Sequence, residues 1–210
     1  MGKQYIIVGG GGFGREVACW SLDLPPASLA GKVIGFLDDA AGDAGRFPEG
    51  MRHLGSVAQY APQPDHELLL GIGSVGAKKE VVSALLARGA RFASLLHPTA
   101  VVAATARVGE GVILCPHAVV SANAVVGNYV IINIASSVGH DVDVGAYSTL
   151  SAHVDLTGGV VLGEGVNVGS GARIVPGRRV GAGATIGAGA IVMRNVEPGI
   201  TVYAAAAKRL

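Results

Sequence analysis

Residues 125–150 read VVGNYVIINIASSVGHDVDVGAYSTL, and every sixth residue in this stretch, from Val126 to Leu150, is Val, Ile or Leu. The same register continues outward without a slip from Val102 to Val192. A fixed short period is typical of solenoids, in which each repeat is one small unit stacked on its neighbours. The sixteen positions in register are Val102, Val108, Leu114, Val120, Val126, Ile132, Val138, Val144, Leu150, Leu156, Leu162, Val168, Ile174, Val180, Ile186 and Val192.

The sixfold period predicts one short strand and turn per hexapeptide, with three hexapeptides in each triangular coil of about 18 residues. The aliphatic residue points inward, and so does the residue two positions before it, because side chains alternate along a strand. A β-sandwich is disfavoured, because its strands alternate with period two and its turns are irregular. The preceding inward positions hold small or β-branched residues until Arg178 interrupts the pattern: Ala106, Val112, Ala118, Ala124, Val130, Ser136, Val142, Ser148 and Val154.

Composition limits the possible functions. Gly accounts for 33 of 210 residues and aromatic residues for only 5%, which disfavours an α-rich fold and an aromatic stacking surface. A formal net charge of +1 predicts no nucleic-acid or membrane partner and leaves small molecules or proteins. The start of the chain lacks the long apolar region of a signal peptide. Cys19 and Cys115 lie in unrelated contexts, so we expect no disulfide and a cytoplasmic location.

The first 96 residues follow a different rhythm, in which short apolar runs alternate with helical patterns. This rhythm predicts a small parallel sheet flanked by helices, an α/β half-Rossmann-like domain over residues 1–96, before the β-helix over residues 97–210. Residues 39–63 read as loops with one short helix. The predicted strands are 5–8, 32–37, 68–72 and 91–96, and the predicted helices are 13–22 and 75–88.

A glycine-rich turn joins the first predicted strand to the first helix. Gly9, Gly11 and Gly14 form a GxGxxG pattern, which is typical of a loop that lets a phosphate approach backbone N–H groups at a helix start. Asp38 and Asp39 end the next strand, so the pattern also fits a dinucleotide fingerprint. Because fewer than about 100 residues provide only half of a doubly wound dinucleotide fold, we expect a single nucleotide.

Taken together, the two halves resemble the PglD/NeuD-like bacterial sugar acetyltransferases, which are hexapeptide-repeat acyltransferases. The resemblance rests on the order of five stretches: IIVGGGGFGREV, GFLDD, LLHPTA, ASSVGHDVDVGAYS and the terminal AKRL. It implies that the solenoid is a left-handed parallel β-helix. It also implies a nucleotide-sugar and acetyl-CoA as ligands, no metal, and a homotrimer with acetyl-CoA in clefts between subunits.

His140 is the candidate general base. It lies two positions after the inward Val138, so the repeat directs its side chain outward. A spacing of one coil puts Ala122 and Gly158 beside it, and both residues are small. A neutral imidazole can accept a proton near neutral pH. The resemblance implies that His140 does so with Asp141 as its acidic partner, although adjacent residues can meet only at a corner of the coil.

Further contacts follow from the chemistry and from the resemblance. An oxyanion at the thioester carbonyl needs backbone or amide donors, for which Gly139 and Gly158 are candidates. Asn133 fits either an acceptor site or a stacked polar position in the coil. Phe13 and Thr149 depart from relatives that carry histidine at these places. The implied substrate-binding residues are Gly11, Gly12, Phe13, Asp38, Asp39, Gly73 and Asn133, and the implied acetyl-CoA-binding residues are Thr149, Gly158, Ser170 and Ala188.

The resemblance favours direct transfer of acetyl from acetyl-CoA to the amino group of a nucleotide-linked amino-deoxysugar, of the UDP-4-amino-sugar or GDP-perosamine type. No activated serine or cysteine nucleophile is apparent, which favours direct transfer. One alternative is a hydroxyl acceptor, as in sialic acid O-acetylation, and another is a noncatalytic nucleotide-sugar-binding assembly. A zinc site of His117, His140 and His153 is disfavoured, because their spacings of 23 and 13 include no close His pair.

Overall fold

The computed structural model describes residues 2–25, 31–40 and 44–205. The chain folds as two compact units. The first comprises Met1–Pro98 together with Glu110–Ile113, and the second comprises Thr99–Gly109 together with Leu114–Leu210. In the described residues, no helix is both long and apolar enough to cross a lipid bilayer.

The first unit is a four-stranded parallel sheet with a helix after its first and last strands. The order across the sheet is β3 (Arg52–His53), β2 (Gly31–Leu37), β1 (Lys3–Val8) and β4 (His66–Leu70). The chain therefore adds strands on one side of β1 and then returns to its other side. A buried apolar cluster that includes Ile6, Leu37, Leu68 and Leu85 joins the sheet to the second helix. The elements are β1 (Lys3–Val8), α1 (Gly12–Leu22), β2 (Gly31–Leu37), a 3₁₀ helix (Ala44–Arg46), β3 (Arg52–His53), β4 (His66–Leu70) and α2 (Val75–Ala87).

The strand predicted over residues 91–96 is wrong as a continuous element. Phe92 makes only an isolated bridge to Leu68, and Leu95–Leu96 forms a separate two-residue strand, β5. The cause is a change of hydrogen-bond partner within the segment. Ala93 N–H donates to the Leu68 carbonyl at 2.9 Å, whereas Leu95 N–H donates to Val112 at 2.9 Å.

The second unit is the predicted solenoid, a left-handed parallel β-helix. Each strand is two residues long and pairs in parallel with the strand 18 residues away, as Ser137 does with Val119 and Asp155. The last strand is the exception, because Thr201 pairs with Thr185 at a spacing of 16 residues. The strands after β5 are β6 (Val101–Val102), β7 (Arg107–Val108), β8 (Ile113–Leu114), β9 (Val119–Val120), β10 (Val125–Val126), β11 (Ile131–Ile132), β12 (Ser137–Val138), β13 (Asp143–Val144), β14 (Thr149–Leu150), β15 (Asp155–Leu156), β16 (Val161–Leu162), β17 (Asn167–Val168), β18 (Arg173–Ile174), β19 (Arg179–Val180), β20 (Thr185–Ile186), β21 (Ile191–Val192) and β22 (Thr201–Val202).

Three faces and three corners define the coil. The first face contains β8, β11, β14, β17, β20 and β22, the second contains β6, β9, β12, β15, β18 and β21, and the third contains β7, β10, β13, β16 and β19. We call the turns that follow these faces the first, second and third corners. In one coil they are residues 133–136, 139–142 and 145–148.

The core of the coil confirms the sixfold register. All sixteen predicted positions are the second residue of a strand, and fourteen of them are buried. Val102 and Val108 are more exposed because β6 and β7 are the end strands of their sheets. At the other inward position, Arg178 is only half-buried, and its Nε donates to the Pro176 carbonyl at 3.2 Å. The arginine therefore leaves the inward pattern, as its chemistry requires.

The corners use a left-handed backbone conformation. Seven corner residues that are not glycine have φ between 53° and 61°, among them His117, Asn123, Asp141 and His153. In later coils the same corner position is occupied by glycine, as at Gly159, where positive φ carries no steric cost. The turn at each corner also lets neighbouring residues project from the same edge of the prism.

Candidate functional site

His140 and Asp141 form a bonded pair at the second corner. The His140 side chain is 71% exposed, and its Nδ1 lies 2.8 Å from Oδ2 of Asp141. Asp141 has φ 58°, so the two adjacent residues do not lie on a flat strand and their side chains can meet. The corner that the pairing requires is therefore present.

The pair determines which imidazole nitrogen can act as a base. Hydrogen bonds from His140 and then from Asn123, together with the charge of His140, lower the pKa of Asp141 below its usual 3.8. An ionised carboxylate can only accept hydrogen bonds. In the neutral ring, His140 Nδ1 therefore carries the proton that is donated to Asp141, and Nε2 has the free lone pair.

Gly158 leaves room for the imidazole ring of His140. A Cβ atom added at Gly158 would lie 2.5 Å from Cε1 of His140 and closer still to Nε2. Real Cβ atoms essentially never make contacts shorter than 3.0 Å. The glycine one coil further along is thus what permits the observed position of the ring.

Asn123 also belongs to this corner, and the sequence reasoning missed it. It lies 18 residues before Asp141, and its Nδ2 donates to Oδ1 of Asp141 at 3.2 Å. The sequence does contain a signal for it, because the 18-residue spacing that places Ala122 and Gly158 beside His140 also places Asn123 beside Asp141.

The two proposed oxyanion donors differ in availability. Gly139 N–H donates to the Leu156 carbonyl at 2.7 Å as part of the coil ladder, so its assignment as an oxyanion donor is wrong. Gly158 N–H has no acceptor among the described residues. It lies beside the imidazole and can donate to another group.

Asn133 lies at the first corner of the coil that contains His140, and not at the second corner. Its Oδ1 accepts a hydrogen bond from the Ile134 N–H at 2.7 Å, so part of its hydrogen-bonding capacity is used in the turn. Its contact with a substrate stays a prediction.

The four residues expected to bind acetyl-CoA occupy different parts of the coil. Ser170 and Ala188 are exposed and stack at the first corner in consecutive coils. Thr149 lies on the first face and is only 7% exposed, while Gly158 is at the second corner. Within one chain these positions do not converge, and their roles in binding stay predictions.

The zinc alternative lacks a suitable ligand set. His117 and His153 share the first corner but are separated by two coils, and His140 lies at the second corner. Among residues 2–25, 31–40 and 44–205, no group of three or more His, Cys, Asp or Glu side chains could hold a metal ion.

The remaining histidines have partners within the first unit. His97 Nε2 lies 3.3 Å from Asp23, and His66 Nδ1 lies 2.9 Å from the Tyr60 hydroxyl. His53 Nε2 lies 2.9 Å from the Asp38 carbonyl and thereby links β3 to the end of β2.

A second candidate site is a cleft of about 400 Å³ in the first unit. It lies beyond the ends of β1 and β4, where the chain changes the side of the sheet on which it adds strands. In open parallel sheets this is the place where ligands bind. Its lining residues include six of the predicted substrate contacts, Gly11, Gly12, Phe13, Asp38, Asp39 and Gly73.

Both helices of the first unit begin at this cleft. Gly11 is the N-cap of α1 and Ser74 is the N-cap of α2, and neither cap makes a side-chain hydrogen bond. Both helices also lack acidic residues in their first turns. Unsatisfied N–H groups and the positive ends of two helix dipoles favour an anion such as a phosphate.

The glycines of the turn have separate roles. A Cβ at Gly14 would collide with the Gly9 carbonyl, and Gly9 itself has φ +108°, so these two are required by the backbone. A Cβ at Gly11 would meet nothing within 4 Å, and the same holds for Gly73. The turn thus needs Gly9 and Gly14 for its geometry, whereas Gly11 leaves space free in the cleft.

Asp38 holds the turn and the following loop together. Its Oδ2 accepts from Gly10 N–H at 2.6 Å and its Oδ1 accepts from Ala40 N–H at 2.8 Å. Asp39 is exposed and accepts from Ala58 N–H at 3.3 Å. Of the two carboxylates, Asp39 is therefore the one with more capacity left for a ligand.

No family model matches the chain, and no curated protein matches it. Several solved structures do match the chain. The acetyltransferase domain of PglB from Neisseria gonorrhoeae FA1090, in complex with acetyl coenzyme A, is 28% identical over 100% of both chains, with a TM-score of 0.86. A histidine variant of perosamine N-acetyltransferase from Caulobacter crescentus, in complex with CoA and GDP-perosamine, is 27% identical over 96% of this chain and 93% of that chain, with a TM-score of 0.84. WeeI from Acinetobacter baumannii AYE is 25% identical over 96% of this chain and 97% of that chain, with a TM-score of 0.82.

These similarities extend over both units and over nearly the full length of each neighbour. The fold and the neighbours define a hexapeptide-repeat acyltransferase with an added α/β unit. The resemblance to bacterial sugar acetyltransferases is confirmed, and the chain is an acetyltransferase of this structural class.

Proposed function

We propose that this acetyltransferase transfers acetyl from acetyl-CoA to the amino group of a nucleotide-linked amino-deoxysugar, with His140 as general base. The observation that carries the proposal is the exposed imidazole of His140, which is bonded to Asp141 through Nδ1 and lies beside Gly158. A cytoplasmic homotrimer is part of the same proposal.

The reaction joins the acceptor nitrogen to the thioester carbonyl carbon and breaks the carbon–sulfur bond of acetyl-CoA. The amine loses a proton as it attacks, and Nε2 of His140 accepts it. Asp141 stabilises the imidazolium that forms, because its carboxylate already accepts a hydrogen bond from Nδ1. The Gly158 N–H can donate to the oxyanion, and CoA leaves as the thiol after taking up a proton.

The cleft in the first unit supports a nucleotide-linked acceptor. A diphosphate would accept hydrogen bonds from the N–H groups at the starts of α1 and α2. Asp39 would then be available to a ribose hydroxyl or a base amino group. The Caulobacter neighbour is in complex with GDP-perosamine, which is an amino sugar on a nucleoside diphosphate. A ligand of this kind fits the arrangement of N–H donors and carboxylate in the cleft.

The proposal is tested by steady-state kinetics with acetyl-CoA and a panel of nucleotide-linked and free sugars, half with an amino acceptor and half with a hydroxyl. CoA release is followed with a thiol reagent, and the product is identified by mass spectrometry. We expect turnover with nucleotide-linked amines. Turnover with hydroxyl acceptors alone would establish the O-acetylation alternative instead, and binding without turnover would establish a noncatalytic assembly.

His140→Asn should lower kcat by roughly 10²- to 10⁴-fold, which is the usual contribution of a general base. His117→Asn is the matched control, because it makes the same chemical change at an exposed histidine on a different corner of the coil. Wild-type turnover by His140→Asn would remove His140 from the mechanism.

A further inference from the structure

The second corner carries a column of polar side chains in consecutive coils. Thr105, Asn123 and Asp141 are spaced by 18 residues, and each is bonded to the next. Asn123 N–H donates to the Thr105 hydroxyl at 3.0 Å, and the Asn123 amide donates to Asp141 Oδ1 at 3.2 Å. The other oxygen of Asp141 lies 2.8 Å from His140 Nδ1.

Each member of this column limits the freedom of the next. Thr105 Oγ1 accepts a hydrogen bond from the N–H of Asn123, whose backbone has φ 59°. Asn123 then occupies Oδ1 of Asp141, which leaves Oδ2 for the imidazole. Because the side chains of His140 and Asp141 are 71% and 58% exposed, packing alone does little to restrict their rotamers. Hydrogen bonds must therefore fix their orientation.

We propose that Asn123 is a positioning residue that holds the Asp141 carboxylate in the orientation that fixes His140 as the Nδ1-protonated tautomer. Its importance for turnover rests on the proposed function of His140, whereas its effect on the tautomer does not. Asn123 acts through Asp141 and touches no reacting atom.

The amide is suited to this role by its donor and by its backbone preference. Asparagine tolerates positive φ better than other non-glycine residues, apart from Asp and His. Its Nδ2 can donate to a carboxylate without adding a charge. Aspartate has the same size and a similar tolerance of positive φ, but it cannot donate in its ionised form and would repel Asp141.

Two substitutions separate the amide from the backbone. Asn123→Gly keeps the positive φ and the N–H donor to Thr105 but removes the side chain. Asn123→Asp keeps the side-chain size and replaces the donor with a second carboxylate. His117→Gly is the matched control, because His117 also has positive φ (60°) and its N–H also donates to a threonine hydroxyl one coil earlier, Thr99, at 3.0 Å.

Kinetics and nitrogen NMR of the imidazole provide independent measurements. For Asn123→Gly we expect kcat to fall roughly three- to tenfold, the equivalent of one hydrogen bond, with KM for both substrates unchanged. The ¹⁵N shifts of His140 should change from the Nδ1-protonated tautomer to a mixture of both. Asn123→Asp should lose at least as much turnover as Asn123→Gly, and His117→Gly should keep both wild-type values.

Wild-type tautomer populations in Asn123→Gly and Asn123→Asp would overturn the proposal, even if turnover fell. Wild-type kcat in Asn123→Asp would overturn its link to catalysis. If the unmodified protein transfers no acetyl group, the proposed function fails, but the ¹⁵N shifts of the three proteins still decide the role of Asn123.

Discussion

Gly158→Ala should displace the His140 imidazole while the coil stays folded. The new Cβ would lie 2.5 Å from Cε1 of His140, whereas ordinary van der Waals contact begins at 3.4 Å. The ring must therefore move by about 1 Å, and a misplacement of that size can cost about 100-fold in rate. We expect kcat for acetyl transfer to fall by about two orders of magnitude.

The backbone at Gly158 should accept the substitution. The equivalent corner positions one and two coils earlier are His140 and Ala122, which both carry a Cβ, and Gly158 has no positive φ. The displaced ring is exposed and can rotate into solvent. The free energy of unfolding should therefore stay equal or rise by about 0.4–1 kcal/mol, because alanine reduces the conformational entropy of the unfolded chain.

Steady-state kinetics and denaturant unfolding of Gly158→Ala measure the two effects separately. The same substitution in a His140→Asn background provides a double-mutant cycle, and there it should cost no further activity because the ring is already absent. A kcat within twofold of the wild-type value would refute the reasoning, because it would mean that catalysis does not need the imidazole in its observed position. An equal loss in both backgrounds would show that the new methyl group acts on something other than His140.

Two further predictions concern the stability of each unit. Lys78 is fully buried on α2, and desolvation lowers its pKa from 10.5 to about 7. Between these two pH values the unfolded chain binds one more proton than the folded chain. The free energy of unfolding should therefore rise by up to about 5 kcal/mol as the pH increases from about 7 to 10.5. Lys78→Met should abolish this slope in urea unfolding measured from pH 7 to 10, and an unchanged slope would assign it to other groups. Ser136→Ala should lower the free energy of unfolding of the coil by about 1–3 kcal/mol, because Val154 N–H loses its buried acceptor at 3.1 Å and the Ser151 carbonyl loses a donor at 2.8 Å. We expect kcat of Ser136→Ala to be unchanged. A wild-type free energy of unfolding for this variant in urea would contradict the prediction.

Much of the site could be predicted because the repeat converts sequence distance into spatial distance. A spacing of 18 residues means direct stacking, so the sequence alone places Gly158 next to His140. The cleft residues of the first unit followed from a local motif, since a glycine turn between a strand and a helix has a known shape. Six of those residues do line one cleft.

The predictions from sequence were wrong where they depended on which hydrogen-bond partner a backbone group takes. Gly139 was a plausible donor by position, but the coil ladder uses its N–H. Residues 91–96 had the apolar pattern of one strand, but their backbone exchanges one partner for another between Ala93 and Leu95. Both outcomes depend on competition between acceptors that are distant in the chain.

The sequence by itself determined the architecture of the coil, because an unbroken period of six leaves only one way to bury sixteen aliphatic side chains in a narrow prism. It also determined that His140 points outward. Only the tertiary structure decided that Asp141 turns back to the imidazole, that Asn123 occupies the other carboxylate oxygen, and that the imidazole lies against Gly158. The physical reason is that periodicity specifies where a residue lies on the prism, whereas rotamers and hydrogen-bond partners depend on the atoms that surround it in three dimensions.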